Sequence, residues 1–199
     1  MEEPKLFDKW SFKEVEVVDP GLQGYINLVP VVVPRSNGAH HDTPFYKTKV
    51  NIVERFINRL QVTGHKGKKH IITTGRNTGK ARKITLLIKD VFEEIEKRTK
   101  ENPIQVLVTA IENAAPREEV ITIERSGAKY AQAVDIAPQR RVDLTVRYMT
   151  QGAAHKAFDS EISLKDALTE EIINGYNLAD GSVAVSKKQE IEKMAAAAK

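Results

Sequence analysis

The 199-residue sequence has no cysteine, and aromatic residues make up only 6% of it. Without cysteine the chain can form neither a disulfide framework nor a thiolate metal site. It also lacks a long apolar run, because its longest candidate, Leu28 to Val33, is interrupted by Pro30 and closed by Pro34. A membrane-spanning helix needs roughly 20 apolar residues. The sequence therefore predicts no membrane segment. Because no secretory signal is visible either, we expect a cytoplasmic protein.

Acidic residues are missing from one stretch, which runs from Arg55 to Lys89 and contains ten lysines and arginines. Because the whole chain carries a net charge of +4, the remaining residues sum to −6. Positive charge concentrated in this way creates a local field that attracts polyanions. A mobile solvated loop would usually mix both signs of charge. The charge pattern therefore favours a nucleic-acid-binding protein.

The first 46 residues contain five of the eight prolines and no sustained helical period. We interpret residues 1–46 as an irregular or extended N-terminal arm that lies on this domain or on a neighbour. The apolar stripes from Val50 onward can close on one another. Trp10, Phe12 and Val31–Val33 consequently have no expected place in the core, and the arm is predicted to be dispensable for folding.

Helical periods replace this irregular pattern from Lys47 onward, so residues 47–199 are predicted to form one helical domain. Asn102 and Ser163 are predicted helix caps, and the fourth helix is predicted to end near Gly152. The apolar positions that define the first five of about six predicted helices are Val50, Val53, Ile57 and Leu60; Ile84, Leu87, Ile88, Val91 and Ile95; Ile104, Leu107, Val108 and Ile111; Val142, Val146 and Met149; and Leu164, Leu168 and Ile172. The sixth is expected from about Val183 to the C-terminus.

Two β-branched or apolar runs, Val120–Ile123 and Tyr130–Ile136, are separated by a short segment that contains Gly127. Glycine supplies the positive φ that a tight turn requires. A projecting β-hairpin is therefore predicted over about residues 119–136, between the third and fourth helices. The predicted fold class is mainly α, a bundle of about six helices with this hairpin and an extended N-terminal arm.

The segment Gly75-Arg-Asn-Thr-Gly79-Lys80 has some features of a phosphate-cradling P-loop. A P-loop has four residues between its glycines and a Ser or Thr after the lysine, whereas here there are three residues and Ala81 follows. The sequence therefore predicts a glycine-punctuated loop whose basic side chains meet backbone phosphates, and not nucleotide hydrolysis. The candidate phosphate contacts here are Lys66, Lys68, Lys69, Arg76, Lys80, Arg82 and Lys83.

Basic residues also mark two further places. Arg140 and Arg141 lie in the first turn of the helix that Pro138 opens, where cations oppose the helix dipole. A docked phosphate would explain that placement better than simple surface exposure does. Arg125 and Lys129 flank the hairpin tip, where they either increase solubility or reach into a nucleic-acid groove.

No catalytic or metal-ligating arrangement is evident. His40-His41, His65 and His70 lack cysteines or carboxylates at ligand spacing, so imidazoles that face solvent or RNA are expected. Nothing marks a nucleophile elbow or a pair of general acids. The sequence therefore predicts no enzyme, no cofactor and no small-molecule substrate.

Three stretches carry a family resemblance: His70 to Lys80, which ends in GRNTGK, then Glu101–Glu118 (ENPIQVLVTAIENAAPRE) and Val134–Val142 (VDIAPQRRV). They resemble small-ribosomal-subunit protein seven in its archaeal form. The match covers about residues 44–199 and continues through Gln151–Ala154 and Ser186–Ala195. The N-terminal arm matches poorly, and the linker of residues 174–181 departs from the family pattern.

The resemblance implies a six-helix fold with a hairpin between the third and fourth helices. It also implies binding to the 3′ major domain of small-subunit ribosomal RNA, nucleation of subunit-head assembly, and a position among ribosomal proteins near the transfer-RNA exit site and the messenger path. Arg125 and Lys129 would lie close to exit-site transfer RNA or messenger RNA. A free-standing RNA-binding regulator of messenger RNA stays the alternative. The implied ribosomal-RNA contacts are Lys66, Lys68, Lys69, His70, Arg76, Asn77, Lys80, Arg82, Lys83, Arg117, Arg140, Arg141, Lys187 and Lys188.

Overall fold

The computed structural model of the protein describes residues 3–63, 65–66, 69–70 and 76–199. This part of the chain contains six α-helices, one 3-10 helix at Tyr46–Lys49 and two antiparallel strand pairs. The helices are α1 (Ile52–Leu60), α2 (Ala81–Thr99), α3 (Pro103–Ala114), α4 (Pro138–Ala157), α5 (Leu164–Tyr176) and α6 (Val183–Ala197). The strands are β1 (His65–Lys66), β2 (Lys69–His70), β3 (Glu118–Arg125) and β4 (Ala128–Asp135). The predicted fold class is confirmed, and the short β1–β2 pair is an addition to it.

Polar side chains cap four of the helices. Each accepts a hydrogen bond from a backbone N–H of the first turn, which a helix start otherwise leaves without a partner. The four capping residues are Asn51, Asn102, Ser163 and Ser182. Pro103 occupies the first position of α3, where a missing N–H removes no helical hydrogen bond. The predicted caps at Asn102 and Ser163 are therefore confirmed.

The central helix of the bundle is α3, which packs against α2, α4, α5 and α6. Eight of its twelve residues are buried, so apolar side chains cover most of its surface. The amphipathic helices around it turn their apolar stripes toward this centre. None of the helices in the described ranges is long and apolar enough to cross a membrane.

The fourth helix does not end at Gly152, as its glycine suggested, but continues to Ala157. Gly152 is buried where α4 crosses the start of α6, and a Cβ built on it would lie 2.7 Å from the Cβ of Val183. Glycine is therefore required here by the close approach of two helices. The expectation of a helix end at Gly152 is wrong, because the sequence does not distinguish a packing glycine from a C-terminal one.

A buried carboxylate attaches α6 to α5. Glu171 is fully buried, and its carboxylate accepts hydrogen bonds from the Ser182 hydroxyl at 2.8 Å and from the N–H groups of Val183 and Ala184 at 3.1 and 3.0 Å. Negative charge is favoured at a helix N-terminus, where it also satisfies the free N–H groups. This contact positions the start of α6 against α5.

The N-terminal segment packs on the helices, although it forms no α-helix itself. Leu6, Trp10 and Phe12 are buried in the same apolar cluster as the helical core. The ring centroid of Trp10 lies 5.7 Å from that of Phe92 in α2, at an interplanar angle of 76°. The expectation that Trp10 and Phe12 have no place in the core is therefore wrong. Prolines and an absent helical period exclude a helix, but they do not exclude burial.

Candidate nucleic-acid interface

The basic segment that precedes α2 leads into an exposed, cationic helix start. Arg76, Lys80, Arg82 and Lys83 are all exposed, and the first turn of α2 contains no acidic residue. No side chain caps this helix, whose N-cap residue is Lys80. Cations at a helix N-terminus add to the positive end of the dipole, so the first turn of α2 favours an anionic partner.

Four of the predicted contacts lie between Thr63 and Arg76. Lys68 lies outside the described residues, and for Lys66, Lys69 and His70 the structure gives the backbone alone, in the antiparallel pair in which Lys66 lies opposite Lys69 and His65 opposite His70. Arg55 belongs to the same basic stretch but does not contribute to its surface. Its buried guanidinium donates to the Asp143 carboxylate at 3.1 Å and to the Tyr25 carbonyl at 2.7 Å.

A groove of about 1090 Å³ brings three of the predicted residues together. Arg76, Asn77 and Lys83 line it on the α2 side, and the end of α4 with the α4–α5 connection lines the other side. Thr63 also lines it. Thr63 and Arg76, which flank the lysine-rich part of the basic stretch, therefore both lie at this cavity. We call the cavity the α2–α4 groove.

A second groove, of about 410 Å³, adjoins the first between α4 and α6, and we call it the α4–α6 groove. Arg147 and Lys187 line it, and His155 lines both grooves. Burial lowers the pKa of the Arg59 guanidinium, and the positive charge of Arg147 lowers it further, while Asp143 opposes both effects. The two grooves thus meet at His155, with Arg76 and Lys83 in one and Arg147 and Lys187 in the other, while Asp159 and Glu161 line the α4–α5 side of the first.

Arg147 was not among the residues that the sequence singled out. It lies seven positions after Arg140, which places both arginines on one face of α4. The seven-residue spacing is the signal in the sequence that points to Arg147.

Two of the predicted RNA contacts bond within the protein, at the C-terminal end of α3. The Lys188 amine donates to the Asn113 carbonyl at 2.8 Å, and the Arg141 guanidinium donates to the Pro116 carbonyl at 3.2 Å and to the Asp19 carboxylate at 2.9 Å. The last carbonyls of a helix lack intrahelical donors, and cations are favoured beside them. Arg141 and Lys188 are therefore held by the fold, and an additional RNA contact from either stays a prediction.

The surroundings of Lys188 lower the pKa of its amine. Burial lowers the pKa of Lys188, and the charges of Arg117 and Arg141 lower it further against the opposing effect of Glu192. Arg117 itself is exposed, and its guanidinium makes no hydrogen bond or ion pair within the described ranges. Of the three cations grouped here, Arg117 is therefore the one directed to solvent.

The start of α4 already holds protein carboxylates where a phosphate was expected. Arg140 donates from Nε and Nη2 to the two carboxylate oxygens of Glu119, at 2.8 and 2.7 Å. This hydrogen-bonded pair raises the pKa of Arg140. Glu119 and Asp19 thus neutralise the Arg140-Arg141 pair, and phosphate binding at this helix start stays a prediction.

The hairpin between α3 and α4 has the turn that its sequence predicted. Ser126 and Gly127 have φ of 50° and 79°, so both central residues are left-handed, as in a type I′ turn. Lys129 is exposed near the tip and lies opposite Glu124 in the ladder. The hairpin has four acidic residues and two basic ones, so its positive charge is confined to the tip.

Histidine and carboxylate groups do not assemble into a metal site in the ranges that the structure describes. His41 instead contacts the Gly38 carbonyl at 2.6 Å and the Asp42 carboxylate at 2.8 Å.

A helical bundle with adjoining grooves that carry cations and with a projecting hairpin fits the class of helical nucleic-acid-binding proteins that contact mainly phosphates.

Comparison with known proteins assigns the family within that class. The family model described as ribosomal protein S7p/S5e matches residues 24–199. The small ribosomal subunit protein uS7 of Nanoarchaeum equitans is 52% identical over 195 residues, which cover 98% of each chain. The uS7 proteins of Methanosphaera stadtmanae and Archaeoglobus fulgidus are 45% and 44% identical, covering 98% and 100% of this chain and 98% and 96% of their own. The chain belongs to the ribosomal protein S7p/S5e family.

These alignments span almost the whole chain. They therefore reach into residues 1–46, whereas the family model begins only at residue 24. The expected poor match of the N-terminal arm stays a prediction. The buried Leu6, Trp10 and Phe12 give a structural reason for a shared N-terminal segment, because they complete the apolar core.

Proposed function

We propose that this protein is a structural component of the small ribosomal subunit that binds small-subunit ribosomal RNA and catalyses no reaction. The observation that carries this proposal is the set of four cations, Arg76, Lys83, Arg147 and Lys187, that line the two adjoining grooves. Membership of a ribosomal protein family supports it, as do relatives that are named small ribosomal subunit proteins.

Binding on this surface is expected to be dominated by phosphates. Each lysine or arginine that meets a phosphate releases condensed counterions, which makes affinity depend steeply on salt. The family resemblance points to the 3′ major domain of the ribosomal RNA and to assembly of the subunit head. The protein then acts in the cytoplasm, next to neighbouring ribosomal proteins.

We place the hairpin tip near the transfer-RNA exit site and the messenger path as part of the same proposal. Lys129 is exposed there, whereas Glu118, Glu119 and Glu124 lie along β3. Carboxylates repel phosphates, so the tip is the part of the hairpin that can come close to a nucleic-acid backbone. The strands are then a support that carries the tip away from the bundle.

The test measures binding of the full chain to a transcript of the 3′ major domain across a salt series. The double variant Arg82→Gln/Lys83→Gln is compared with Lys97→Gln/Lys100→Asn, which removes the same charge at the opposite end of α2. Lys100 has φ of 59°, and asparagine tolerates that conformation. We expect only the first variant to flatten the log–log salt slope, by roughly 0.7 to 0.9 per lost phosphate contact.

Equal slopes for the two double variants would contradict the proposed surface. Co-sedimentation of the full chain with small subunits distinguishes a subunit component from a free-standing regulator. A regulator would bind messenger RNA with the same salt dependence but would not sediment with the subunit.

A further inference from the structure

Asn77 is an unusual residue in the α2–α4 groove. It is only 8% exposed, and its side chain makes no hydrogen bond to any residue that the structure describes. Its backbone is held, because its carbonyl accepts the N–H of Lys80 at 3.2 Å. Asn77 is not among the described side chains whose polar atoms are fully buried without a partner. Its amide is therefore open to the groove, where it can bond the polar edge of a ligand.

The same groove has an apolar part that solvent reaches. Phe158, which follows α4, is 50% exposed, and Ile162 in the α4–α5 connection is 45% exposed. Both line the groove with Asn77. The volume of about 1090 Å³ slightly exceeds that of cavities that take small organic ligands, roughly 300–1,000 Å³, so the groove has room for a ligand of that size. A flat ligand with a polar edge fits this combination of an exposed ring and a buried amide.

Charge is distributed unevenly around the groove. Arg76 precedes α2 and Lys83 lies in its first turn, whereas Asp159 and Glu161 come from the α4–α5 connection. The Lys83 amine makes no hydrogen bond or ion pair within the described ranges. An anionic group on the ligand is therefore expected on the α2 side, away from the two carboxylates.

We propose that the α2–α4 groove holds one unstacked adenine base of a bound RNA, an inference that rests on the proposed RNA-binding function. Phe158 contacts the face of the base, Asn77 bonds its edge and Lys83 meets the adjoining phosphate. An asparagine amide offers one donor and one acceptor, which match adenine N7 and the N6 amino group. Guanine presents two acceptors on the corresponding edge.

An unpaired base suits the physics of RNA recognition. The major groove of an RNA helix is too deep and narrow for side chains, so sequence is read at loops, bulges and ends. An unpaired base also presents a face on which an aromatic ring can stack. The proposal thus assigns base selectivity to Asn77, while the phosphates hold the RNA in place without regard to sequence.

The test uses the full chain and RNA stems that differ only at a single bulged nucleotide. One stem has a bulged adenine, others have uracil, cytosine or guanine, and one has no bulge. Affinities are measured at one fixed salt concentration. We expect the adenine stem to bind roughly 5- to 150-fold more tightly than the uracil stem, the range for a bidentate asparagine–adenine contact.

Variants then assign this preference to individual side chains. Asn77→Leu has nearly the same volume, and we expect it to abolish the preference for adenine without changing affinity for the stem that has no bulge. Phe158→Leu should weaken every bulged stem and spare that stem. Tyr130→Leu removes an exposed aromatic ring on the hairpin, outside the groove, and should change none of these ratios.

Equal affinity for bulged and unbulged stems would overturn the inference but leave the proposed function intact. If the protein bound none of the stems at any salt concentration, that result would instead count against the proposed function. If RNA binds but Asn77→Leu and Phe158→Leu leave all affinities unchanged, the groove is not a base-binding site. A side chain from a neighbouring protein would then be the alternative ligand of the groove. If Asn77→Leu does not fold in a thermal melt, Phe158→Leu, at an exposed position, decides the outcome.

Discussion

The N-terminal segment and the β3–β4 hairpin combine regular structure and burial in opposite ways. Residues 3–45 form no α-helix, yet Leu6, Trp10 and Phe12 lie in the main core. The hairpin has eight cross-strand pairs, yet most of its residues are exposed or only partly buried. Regular hydrogen bonding and membership of the core are therefore independent properties in this protein.

The difference depends on where each backbone finds its hydrogen bonds. Within the hairpin, the two strands satisfy each other. The N-terminal segment uses side chains of α3 instead: Asn102 donates to the Ser11 carbonyl at 2.8 Å, and the Glu16 N–H donates to Gln105 at 2.8 Å. Backbone groups need partners when they are buried, and here a polar stripe on a helix supplies them.

The first prediction has the largest expected effect. A chain that starts at Thr43 loses Trp10 and its neighbours from the core, and we expect its melting temperature to fall by more than about 8 °C. The measurement is a thermal melt of the truncated chain beside the full one. An unchanged midpoint would mean that residues 1–46 fold apart from the helices, as the sequence indicated.

The second prediction concerns Arg141, which bonds Asp19 of the N-terminal segment and the Pro116 carbonyl just before the hairpin. Replacing it with methionine leaves the Asp19 carboxylate, 21% exposed, without its cation. We expect the free energy of unfolding in urea to fall by about 3 kcal/mol. Its neighbour Arg140 is the matched control, because its side chain is 54% exposed. Arg140→Met should cost less than about 1 kcal/mol, so equal losses would contradict this difference.

The third prediction gives the pH dependence of the same contact. Burial raises the pKa of Asp19, but hydrogen bonds from Arg141 and the Gly21 N–H, together with the charge of Arg141, hold it below its ordinary value. The stabilisation is therefore present above the ordinary pKa and is lost as pH falls through the lowered folded value. Melting temperatures of the wild type and Asp19→Asn should differ at pH 7 and converge only in strong acid.

Glu112 is the control for that pH series, because its pKa is raised whereas that of Asp19 is lowered. Burial raises its pKa, although N–H groups of Asp19 and Val18 oppose the rise. Its ionised form is thus disfavoured in the folded state, and Glu112→Gln should gain stability relative to the wild type as pH rises through the raised pKa. If the Asp19→Asn difference were constant at every pH, the assigned contact would be wrong.

The smallest effect on stability is expected at the hairpin. Removing residues 125–129 and closing the strands with a short turn should change the melting temperature by less than about 2 °C, because an exposed tip tolerates change. Head assembly should largely survive, and the defect should appear in retention of exit-site transfer RNA. If this deletion abolished cooperative folding, the hairpin would be part of the core. The two regions would then no longer differ in how much they contribute to the core.

Much of this architecture was predictable from local sequence. The apolar periods located the helices because a helix places residues three and four apart on one face. Asn102 and Ser163 marked helix starts, and Gly127 marked the turn, since each acts within a few residues of its own position. The absence of acidic residues before and within the first turn of α2 likewise located the cationic helix start.

Tertiary structure alone decided the features that depend on residues distant in sequence. Gly152 could be a helix end or a packing contact until Val183 was placed against it. Arg141 resembled a surface cation until Asp19, 122 positions away, was found beside it. The groove at Asn77 likewise needs both α2 and the end of α4. Periodicity and capping act over one or two turns of chain, whereas burial and charge pairing depend on which segments the fold brings together.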